Sequence, residues 1–444
     1  MAPQRRLSCT SRALASGSFP APCHCPEPVI SILNIVPCLP SRPLLSAALN
    51  ALVSAEFRFA QVPTAVPACC GLGSTYVWMP SNVSIAKHIV DHEAVPDVPA
   101  LWEVVNQETQ GPLRANKDTM PWWEVHVIPL QGSSERGALL LRVHHVIGDG
   151  IGLATALRTI LTDSEGNDAF KSATKKFERK PATRSCCSPL GFLWDLGVVL
   201  TLPSLGADVP LPKLQDGKPP LRYGTREFAN VTPFSVSRIK GIAKHCGATF
   251  NDVVLAAVAG AVAKVCDDAP KKNGMVRALM PFAAPRSATS PGGMLRNLWS
   301  MASVKLPVTT NGGDLSGVER IRLVAKETAA LKASWQPAML LFMSNYVLNA
   351  LPGFVTRQIA HDSFSRHSFV ITNVPGPEQK MHLAGSAIDE CHLLFPNIIP
   401  QLSFLSYNGT VYASIIAAGK ASELAAAIER EVLAMELDVA GNST

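Results

Sequence analysis

The sequence predicts an α+β protein built from two lobes, and three observations lead to that prediction. The chain has 444 residues, more than one ordinary hydrophobic core organises, so two domains are expected. Residues 138–143 (ALLLRV) are apolar except for Arg142, which is typical of a buried strand, and residues 151–157 continue as an apolar helix. Late in the chain, two apolar runs flank Asn408-Gly409, which is a strong hairpin signal, before an amphipathic segment over 421–437. Both halves therefore contain strands and helices.

The first lobe is expected to span residues 27–165. A helix is predicted over 44–59, because Leu45, Leu49, Leu52 and Val53 recur on one helical face. Residues 1–26 contain arginine and serine but no acidic residue, a composition typical of an organellar transit peptide. A disordered extension or a misassigned start of the chain explains the composition equally well, so we exclude this segment from the predicted fold.

The strand at 138–143 leads directly into the motif with the clearest chemical content. His144 and His145 stand four residues ahead of the turn at Asp149 and Gly150. Histidine is the side chain best suited to transfer a proton near neutral pH. Because side chains alternate along a strand, the two rings should point in different directions and have different roles. The order strand, paired histidines, glycine-containing turn and helix predicts a general base held at a strand end.

A linker is predicted over residues 166–225, where a basic run is followed by several prolines. The basic run contains Lys171, Lys175, Lys176, Arg179 and Lys180. Within the linker, residues 189–202 are apolar, but the segment is short, contains glycine and carries Asp195. A membrane-spanning helix needs about 20 apolar residues without a central charge. We therefore interpret it as an interfacial or lipid-entry segment, with a hydrophobic loop packed on the protein as the alternative.

The second lobe is expected over residues 226–444. Thr249 and Asp252 have the spacing of a capping box, and apolar residues then recur at helical spacing up to Val265. Asn251 lies in the first turn, where its amide could reach a backbone group or a ligand, although simple capping also explains the segment. Further along, the apolar run 368–371 leads into a rigid turn over residues 373–377.

Composition limits the possible partners and cofactors. Hydrophobic residues make up 47% of the chain and charged residues 17%, which suits a protein that works beside lipid. The net charge of +6 comes without an arginine-rich array or an aromatic stacking platform, so no nucleic-acid partner is expected. Such a charge fits an anionic ligand or an anionic membrane surface. We interpret the eleven cysteines as reduced intracellular thiols. Cys23-His24-Cys25 could begin a zinc site, but no second pair of ligands follows at the spacing that zinc needs, so no metal is expected.

Several segments resemble one family of acyltransferases. The spacing His-His-x-x-x-Asp-Gly is shared by the superfamily of chloramphenicol acetyltransferase and condensation domains. The wider series is similar to the wax ester synthase/diacylglycerol acyltransferase family, and its segments stand in the family's order. They are residues 120–126 (MPWWEVH), 251–256 (NDVVLA), 277–281 with Arg286, Asn297-Leu298, 372–377 (TNVPGP) and 406–409 (SYNG). The chain departs from the family where Trp122 replaces Leu and Arg296 replaces Gly, and the family's N-terminal opening is not recognisable before about residue 29.

The resemblance implies two chloramphenicol acetyltransferase-like sandwich lobes with an active-site tunnel at their interface. It implies transfer of a fatty acyl group from acyl-CoA, as substrate rather than cofactor, to diacylglycerol or a long-chain alcohol, giving triacylglycerol or wax esters. His145 would be the general base, His144 would support its geometry, and Asp149 would hold the turn by pairing with Arg286. Gly150 and Asn251 would support the site, Asn251 as one guess for an oxyanion donor. Residues proposed to line the substrate channel are Trp123, Asn373, Pro375 and Gly376.

Two alternatives to this function stay open. One is a different alcohol- or amine-directed CoA acyltransferase of the same fold, although the plant-type Asp-Phe-Gly-Trp-Gly block is absent. The other is a non-catalytic lipid-binding homologue, which the complete His-His-x-x-x-Asp-Gly run disfavours. The expected location is intracellular and associated with a membrane or lipid-droplet surface, at the endoplasmic reticulum or a plastid.

Overall fold

The structure is a computed structural model, and it describes most of the chain. The described residues are 5–17, 26–67, 74–132, 136–170, 189–206, 208, 226–266, 274–284, 295–310, 313–348 and 351–441. Arg286, the Cys23-His24-Cys25 triplet and the basic run of residues 171–180 lie outside them, so the predictions made for these residues stay predictions.

The described strands, in chain order, are β1 (Val29–Val36), β2 (Gln61–Pro67), β3 (Ser74–Pro80), β4 (Ile89–Asp91), β5 (Trp123–Pro129), β6 (Gly137–His144), β7 (Leu161–Thr162), β8 (Glu227–Ser235), β9 (Met275–Ala283), β10 (Trp299–Pro307), β11 (Thr309–Thr310), β12 (Gly313–Asp314), β13 (Phe369–Pro375), β14 (His382–Leu383), β15 (Ser386–Ala387), β16 (Glu390–Leu394), β17 (Gln401–Tyr407) and β18 (Thr410–Ala417). The described α-helices are α1 (Cys9–Ala15), α2 (Arg42–Ala55), α3 (Ile85–His88), α4 (Val98–Gln110), α5 (Gly150–Leu157), α6 (Pro189–Thr201), α7 (Val236–His245), α8 (Phe250–Val265), α9 (Gly317–Ala333), α10 (Gln336–Phe342), α11 (Gly353–Ser365) and α12 (Ala421–Gly441).

The first lobe is organised by a five-stranded sheet of order β16-β1-β6-β5-β4. Helices α2 and α5 cover one face, and α4 packs on the other against Leu33, Ile128 and Leu140. Every residue of β6 is buried because both faces are covered. This explains why the predicted strand, which the structure confirms, is apolar on both faces apart from Arg142 rather than alternating.

The second lobe is organised by a six-stranded sheet of order β10-β9-β13-β17-β18-β8. Helices α7, α8, α9 and α12 pack on one of its faces and form the largest apolar core. A buried ion pair, Arg320 Nη1 to Glu431 Oε2 at 2.7 Å, joins α9 to α12. Gly260 of α8 makes room for it, since a Cβ there would lie 2.0 Å from the Glu431 carboxylate. The helical layer is therefore held by polar as well as apolar contacts.

Local sequence patterns predicted several elements correctly. Helix α2 buries Leu45, Leu49 and Leu52, and it ends at Ala55, after which residues 57–60 form a 3-10 turn. The capping box is present, because Thr249 and Asp252 bond each other's backbone N–H at the start of α8. The predicted hairpin and terminal helix are confirmed as β17, β18 and α12, and Asn408 and Gly409 both have positive φ.

The lobe boundaries are less simple than the sequence predicted. The chain after residue 226 was assigned wholly to the second lobe, whereas β16 pairs antiparallel with β1 in the first sheet. Strand β14 likewise pairs with β7, which lies more than 200 residues earlier in the chain. Strands from late in the chain therefore pair with strands of the first lobe. The local pattern of a strand does not show which distant strand it will pair with.

Residues 5–17 belong to the fold, contrary to their exclusion on composition. The backbone of Arg5 and Leu7 hydrogen-bonds to Trp78 and Tyr76 of β3. The following helix α1 buries Leu14, and Ser11 is fully buried. The segment also contacts α11 and the π-helical turn Met343–Val347 of the second lobe. It therefore bridges both lobes.

No single described helix is long and apolar enough to cross a membrane. Taken together, α7 and α8 would be long and apolar enough, but the two helices are bent by 94° where they join. Apolar residues 189–202, predicted as an interfacial segment or a packed loop, mostly form α6, in which the side chains of Leu190 and Trp194 are exposed.

Candidate active site

The paired histidines end β6, and Asp149 links the following turn to both lobes. Asp149 is the N-cap of α5, where its Oδ1 accepts the Gly152 N–H at 3.0 Å. Its Oδ2 accepts the N–H of Leu298 in the second lobe, also at 3.0 Å. One buried carboxylate therefore holds the turn against the opposite lobe, as predicted for Asp149. The predicted partner of Asp149, Arg286, lies outside the described residues, so that pairing stays a prediction.

Gly150 occupies its position for a reason other than backbone freedom. Its φ is not positive, and it forms the first residue of α5. A Cβ at Gly150 would have no neighbouring heavy atom within 4 Å. Gly150 lines a cavity instead, so the missing side chain leaves open space beside the motif.

His144 is a buried structural residue. Its ring packs edge-on against Trp122 at 4.8 Å, and its Nδ1 accepts the Val146 N–H at 3.1 Å. Burial, with smaller effects of Lys117 and His145, lowers the pKa of His144 well below its ordinary value. A neutral ring that accepts a hydrogen bond from the turn fits the predicted supporting role.

His145 turns to a different set of partners. Its ring lies 5.3 Å from the ring of Trp299 and 5.7 Å from that of Phe395, and the residue is partly exposed. Its Nδ1 lies 3.0 Å from Oδ1 of Asn297. Among the residues that the structure describes, none hydrogen-bonds to its Nε2. The two histidines therefore differ in environment as the alternation of side chains predicted.

The surroundings of Asn297 determine which nitrogen of His145 carries the proton. Trp299 Nε1, which can only donate, lies 3.3 Å from the same Asn297 atom that faces His145. The other amide atom lies 2.6 Å from the carbonyl oxygen of His145 and 3.3 Å from that of Val146. The first atom must be the oxygen and the second the nitrogen, so His145 Nδ1 is the donor. The lone pair of Nε2 is then free to accept a proton.

Ser11 completes this arrangement from the N-terminal segment. Its Oγ accepts from Asn297 Nδ2 at 3.0 Å and donates to the carbonyl of Val146 at 3.2 Å. Asn297 is fully buried. The sequence indicated Asn297 only as part of a family-like segment, and Ser11 lay in residues that were set aside. Neither carried a local signal of its role.

The protonation of His145 is governed mainly by burial. Burial lowers its pKa, and this effect exceeds the opposing effects of the Asp149 carboxylate, of the ring's hydrogen bond to its own carbonyl and of its bond with Asn297. The ring is therefore neutral at pH 7, which is the state a general base requires.

An apolar cavity of about 90 Å³ lies between the first sheet and helices α2 and α5, and the ends of β13 and β17 from the second sheet also line it. Its walls include Leu139 and Leu141 of β6 and Gly150 and Leu153 of α5. Apart from Asn34, Cys391 and Tyr407, the lining consists of apolar side chains, glycine and proline. The cavity has the composition of a site for a hydrocarbon chain.

The structure separates the four predicted channel residues. Pro375 and Gly376 line the cavity, and Gly376 allows close approach, since a Cβ there would lie 2.4 Å from the Ser406 carbonyl oxygen. Trp123 is not part of the wall. It is fully buried, stacks on His88 and donates its Nε1–H to Phe59 O at 3.0 Å. The interpretation of Trp123 as a channel residue is thus corrected to a core residue, because the indole finds both its packing and its acceptor inside the first lobe.

Asn251 and Asn373 contact each other rather than His145. Asn373 Nδ2 donates to Asn251 Oδ1 at 3.3 Å, and Asn251 Nδ2 faces Met280 Sδ at 3.5 Å. This pair joins the start of α8 to β13. The amide of Asn251 is therefore engaged within the second lobe, and Asn373 does not line the cavity.

A second group of polar side chains lies on the first sheet, away from the motif. Ligand-capable atoms of His92, Glu108 and His126 lie within 4.8 Å of one another. His92 Nε2 and His126 Nδ1 share a hydrogen bond of 2.8 Å, and His126 Nε2 donates to Glu124 at 2.9 Å. The fully buried Arg142 also pairs with Glu124. In this form the group is a closed hydrogen-bond and ion-pair network.

Comparison with known proteins identifies two domains of one family. Residues 47–199 match the model of the wax ester synthase/diacylglycerol acyltransferase catalytic domain, and residues 297–435 match that of the family's C-terminal domain. Together these matches cover well over half of the chain. They include the motif and Asn297.

Curated relatives and solved structures agree with this result. A putative diacylglycerol O-acyltransferase of Mycobacterium tuberculosis is 23% identical over 67% of this chain and 62% of its own length, so the match spans less than two thirds of that relative. A probable diacylglycerol O-acyltransferase of the same species is 26% identical over 73% of this chain and 75% of its own length. The solved wax ester synthase/diacylglycerol acyltransferase of Marinobacter aquaeolei has a TM-score of 0.62 at 16% identity, covering 98% of this chain and all of that one. The first condensation domain of the calcium-dependent antibiotic synthetase has a TM-score of 0.63 at 12% identity, covering 99% and 97%.

Proposed function

Because the chain belongs to the wax ester synthase/diacylglycerol acyltransferase family, we propose that it transfers fatty acyl groups from acyl-CoA to a hydroxyl acceptor. The acceptors are diacylglycerol and long-chain alcohols, and the products are triacylglycerol and wax esters. The observation that carries the proposal is the pairing of His145 with Asn297. It leaves a neutral imidazole with a free Nε2 at the junction of the two lobes.

The chemistry follows from that free lone pair. A hydroxyl group attacks a thioester poorly because its pKa is very high, and His145 Nε2 would accept its proton as the new C–O bond forms. General base assistance of this kind is worth roughly 10²–10⁴-fold. The imidazolium formed is stabilised by donating through Nδ1 to Asn297. When the tetrahedral intermediate collapses, the C–S bond breaks and the proton passes from Nε2 to the coenzyme A thiolate. No acyl-enzyme and no cofactor take part in this sequence.

The apolar lining of the cavity suits the hydrocarbon part of an acyl group, and its volume of about 90 Å³ has room for the first few carbons of such a chain. Its lining includes Gly150 of α5, five residues after His145, and Leu139 and Leu141 of β6, the strand that immediately precedes His145. We infer that the acyl chain enters this space while its carbonyl stays beside the motif. A starter condensation domain of rhizomide synthetase, with the same fold, has been solved with C8-CoA.

The proposed substrates also suggest where the protein works. Diacylglycerol and long-chain alcohols partition into membranes and lipid droplets, and apolar side chains of α6 are exposed. We infer an intracellular, membrane-associated protein at the endoplasmic reticulum or a plastid. A fluorescent fusion at the C-terminus of the full-length protein tests the location, and a diffuse signal would contradict it.

The direct test is incubation with labelled palmitoyl-CoA and either hexadecanol or dioleoylglycerol. Ester formation supports the proposal, and the accepted alcohol identifies the branch. Ester or amide formed only from unrelated acceptors would indicate a different acyltransferase of this fold. Binding of lipid without any turnover would indicate a non-catalytic homologue.

A further inference from the structure

Exposed large apolar side chains are concentrated on one group of helices. Among the described residues fourteen such side chains are exposed, and nine of them lie on α6, on α10 with its π-helical turn, and at the start of α11. The nine are Leu190, Phe192, Leu193, Trp194, Leu200, Phe342, Tyr346, Leu351 and Phe354. We call this surface the apolar helix face. Such a concentration marks an interaction site rather than ordinary surface.

The helices of this face are attached to one another by specific contacts. Asp195 of α6 is buried and accepts the backbone N–H of Trp335 at 2.8 Å and the side-chain amide of Gln336 at 2.9 Å. Phe192 packs edge-on against Trp335 at 5.7 Å. Thr356 of α11 donates to the Leu348 carbonyl at 3.1 Å, next to the π-helical turn. The face is therefore preformed.

The charge distribution indicates which partner fits. Asp195 is the only acidic or basic residue in 189–201 and 336–356, and it is buried. The first charged residue beyond the face is Arg357 on α11, and the sequence before α6 carries the basic run of residues 171–180. A surface whose exposed residues are apolar and uncharged, with Arg357 next to it on α11, complements a phospholipid surface, whose acyl chains accept apolar side chains and whose headgroups attract cations.

The face also lies directly above the active site. Ser300 of β10 donates to the Leu340 carbonyl at 3.2 Å and lies 2.8 Å from the Ser344 hydroxyl of the π-helical turn. The preceding residue, Trp299, contacts the ring of His145 and hydrogen-bonds to Asn297. One strand therefore separates the apolar helix face from the proposed base. π-helical turns occur frequently at functional sites.

We propose that the apolar helix face docks the protein on a phospholipid surface, with α6 lying in the plane of the interface, and that acceptor lipid reaches His145 from this side. The docking rests on the face itself. The delivery of acceptor rests on the proposed acyltransferase function.

The test uses the full-length protein and vesicles of phosphatidylcholine, alone or mixed equally with phosphatidylserine. The docking variant carries Leu190→Ser, Trp194→Ser and Phe354→Ser, whose side chains are 78%, 75% and 68% exposed. The matched control carries Leu44→Ser, Leu433→Ser and Leu437→Ser, which are exposed apolar residues elsewhere. We expect the docking variant to lose about tenfold or more in vesicle binding by co-sedimentation, while the control stays within about twofold. Thermal unfolding checks that both variants remain folded.

Activity separates docking from chemistry. The docking variant should lose turnover of dioleoylglycerol held in vesicles but keep turnover of a medium-chain alcohol in solution. Unchanged vesicle binding of the docking variant, or equal loss in the control, would overturn the proposal. So would a concentration-dependent dimer that only the docking variant abolishes, because the face would then be a protein interface. If the wild-type protein binds vesicles but turns over no substrate, the proposed function is refuted and docking is not. If it turns over soluble alcohol but does not bind vesicles, docking is refuted and the proposed function is not.

Discussion

Replacing Asn297 with alanine tests the assignment of the base most sharply. The variant removes the oxygen that accepts the Nδ1–H of His145 while leaving the imidazole in place. During turnover the ring becomes an imidazolium, so this hydrogen bond has a charged donor in the transition state. Hydrogen bonds to charged groups contribute about 1.5–3 kcal/mol. At about 1.4 kcal/mol per factor of ten, kcat should fall by about 10- to 150-fold.

The assay compares kcat and KM for palmitoyl-CoA and hexadecanol in Asn297→Ala, in His145→Ala and in the wild type. His145→Ala should lose more, about 10²–10⁴-fold, because it removes the base itself. Trp299→Phe is the matched control, since it removes only the weaker 3.3 Å donor to the same oxygen and keeps a ring beside His145. We expect the loss in Asn297→Ala to be in kcat with KM nearly unchanged. A folded Asn297→Ala enzyme with wild-type kcat would refute the argument that Asn297 sets the protonation of His145.

Four further predictions follow from the same contacts. Since burial lowers the pKa of His145, kcat/KM should rise with pH to a plateau through a midpoint below 6.5, and a midpoint near 7.5 would contradict a neutral buried base. Gly150→Phe should fill part of the cavity and reduce kcat/KM for palmitoyl-CoA at least about tenfold relative to a short acyl-CoA. Gly150→Ala should not, because a Cβ there meets no neighbour. An equal loss for both chain lengths would argue against an acyl cavity. Ser11→Ala should lower kcat by about 2- to 13-fold at constant KM, and a deletion of residues 1–17 that retains full activity would show the segment to be dispensable. Asp195→Ala should lower the free energy of unfolding by about 1–3 kcal/mol in urea denaturation, because two partly buried donors lose their buried acceptor. An unchanged denaturation midpoint would show that α6 does not contribute to the stability of the fold.

Much of the local structure was predictable because its signals lie close together in the chain. The capping box at Thr249 and Asp252 spans four residues, and the hairpin at Asn408-Gly409 depends on the residues of its own turn. The different environments of His144 and His145 follow from the alternation of side chains along β6. The sequence predicted a role for Gly150 in the turn, whereas in the structure it lines the cavity, because open space beside a residue cannot be read from its neighbours in sequence.

The amino-acid sequence by itself determined the secondary structure around the motif, the identity of the proposed base and the family. Only the tertiary structure decided what surrounds that base. Asn297 lies 152 residues from His145, and Ser11 lies 135 residues before the Val146 carbonyl that it bonds. Likewise, β16 joins the first sheet from far along the chain, and the exposed helices of residues 189–201 and 336–354 form one surface only after folding. Periodicity and capping act over a few residues, whereas a hydrogen bond between distant side chains exists only once the chain has packed, so the arrangement around the proposed base is a property of the fold.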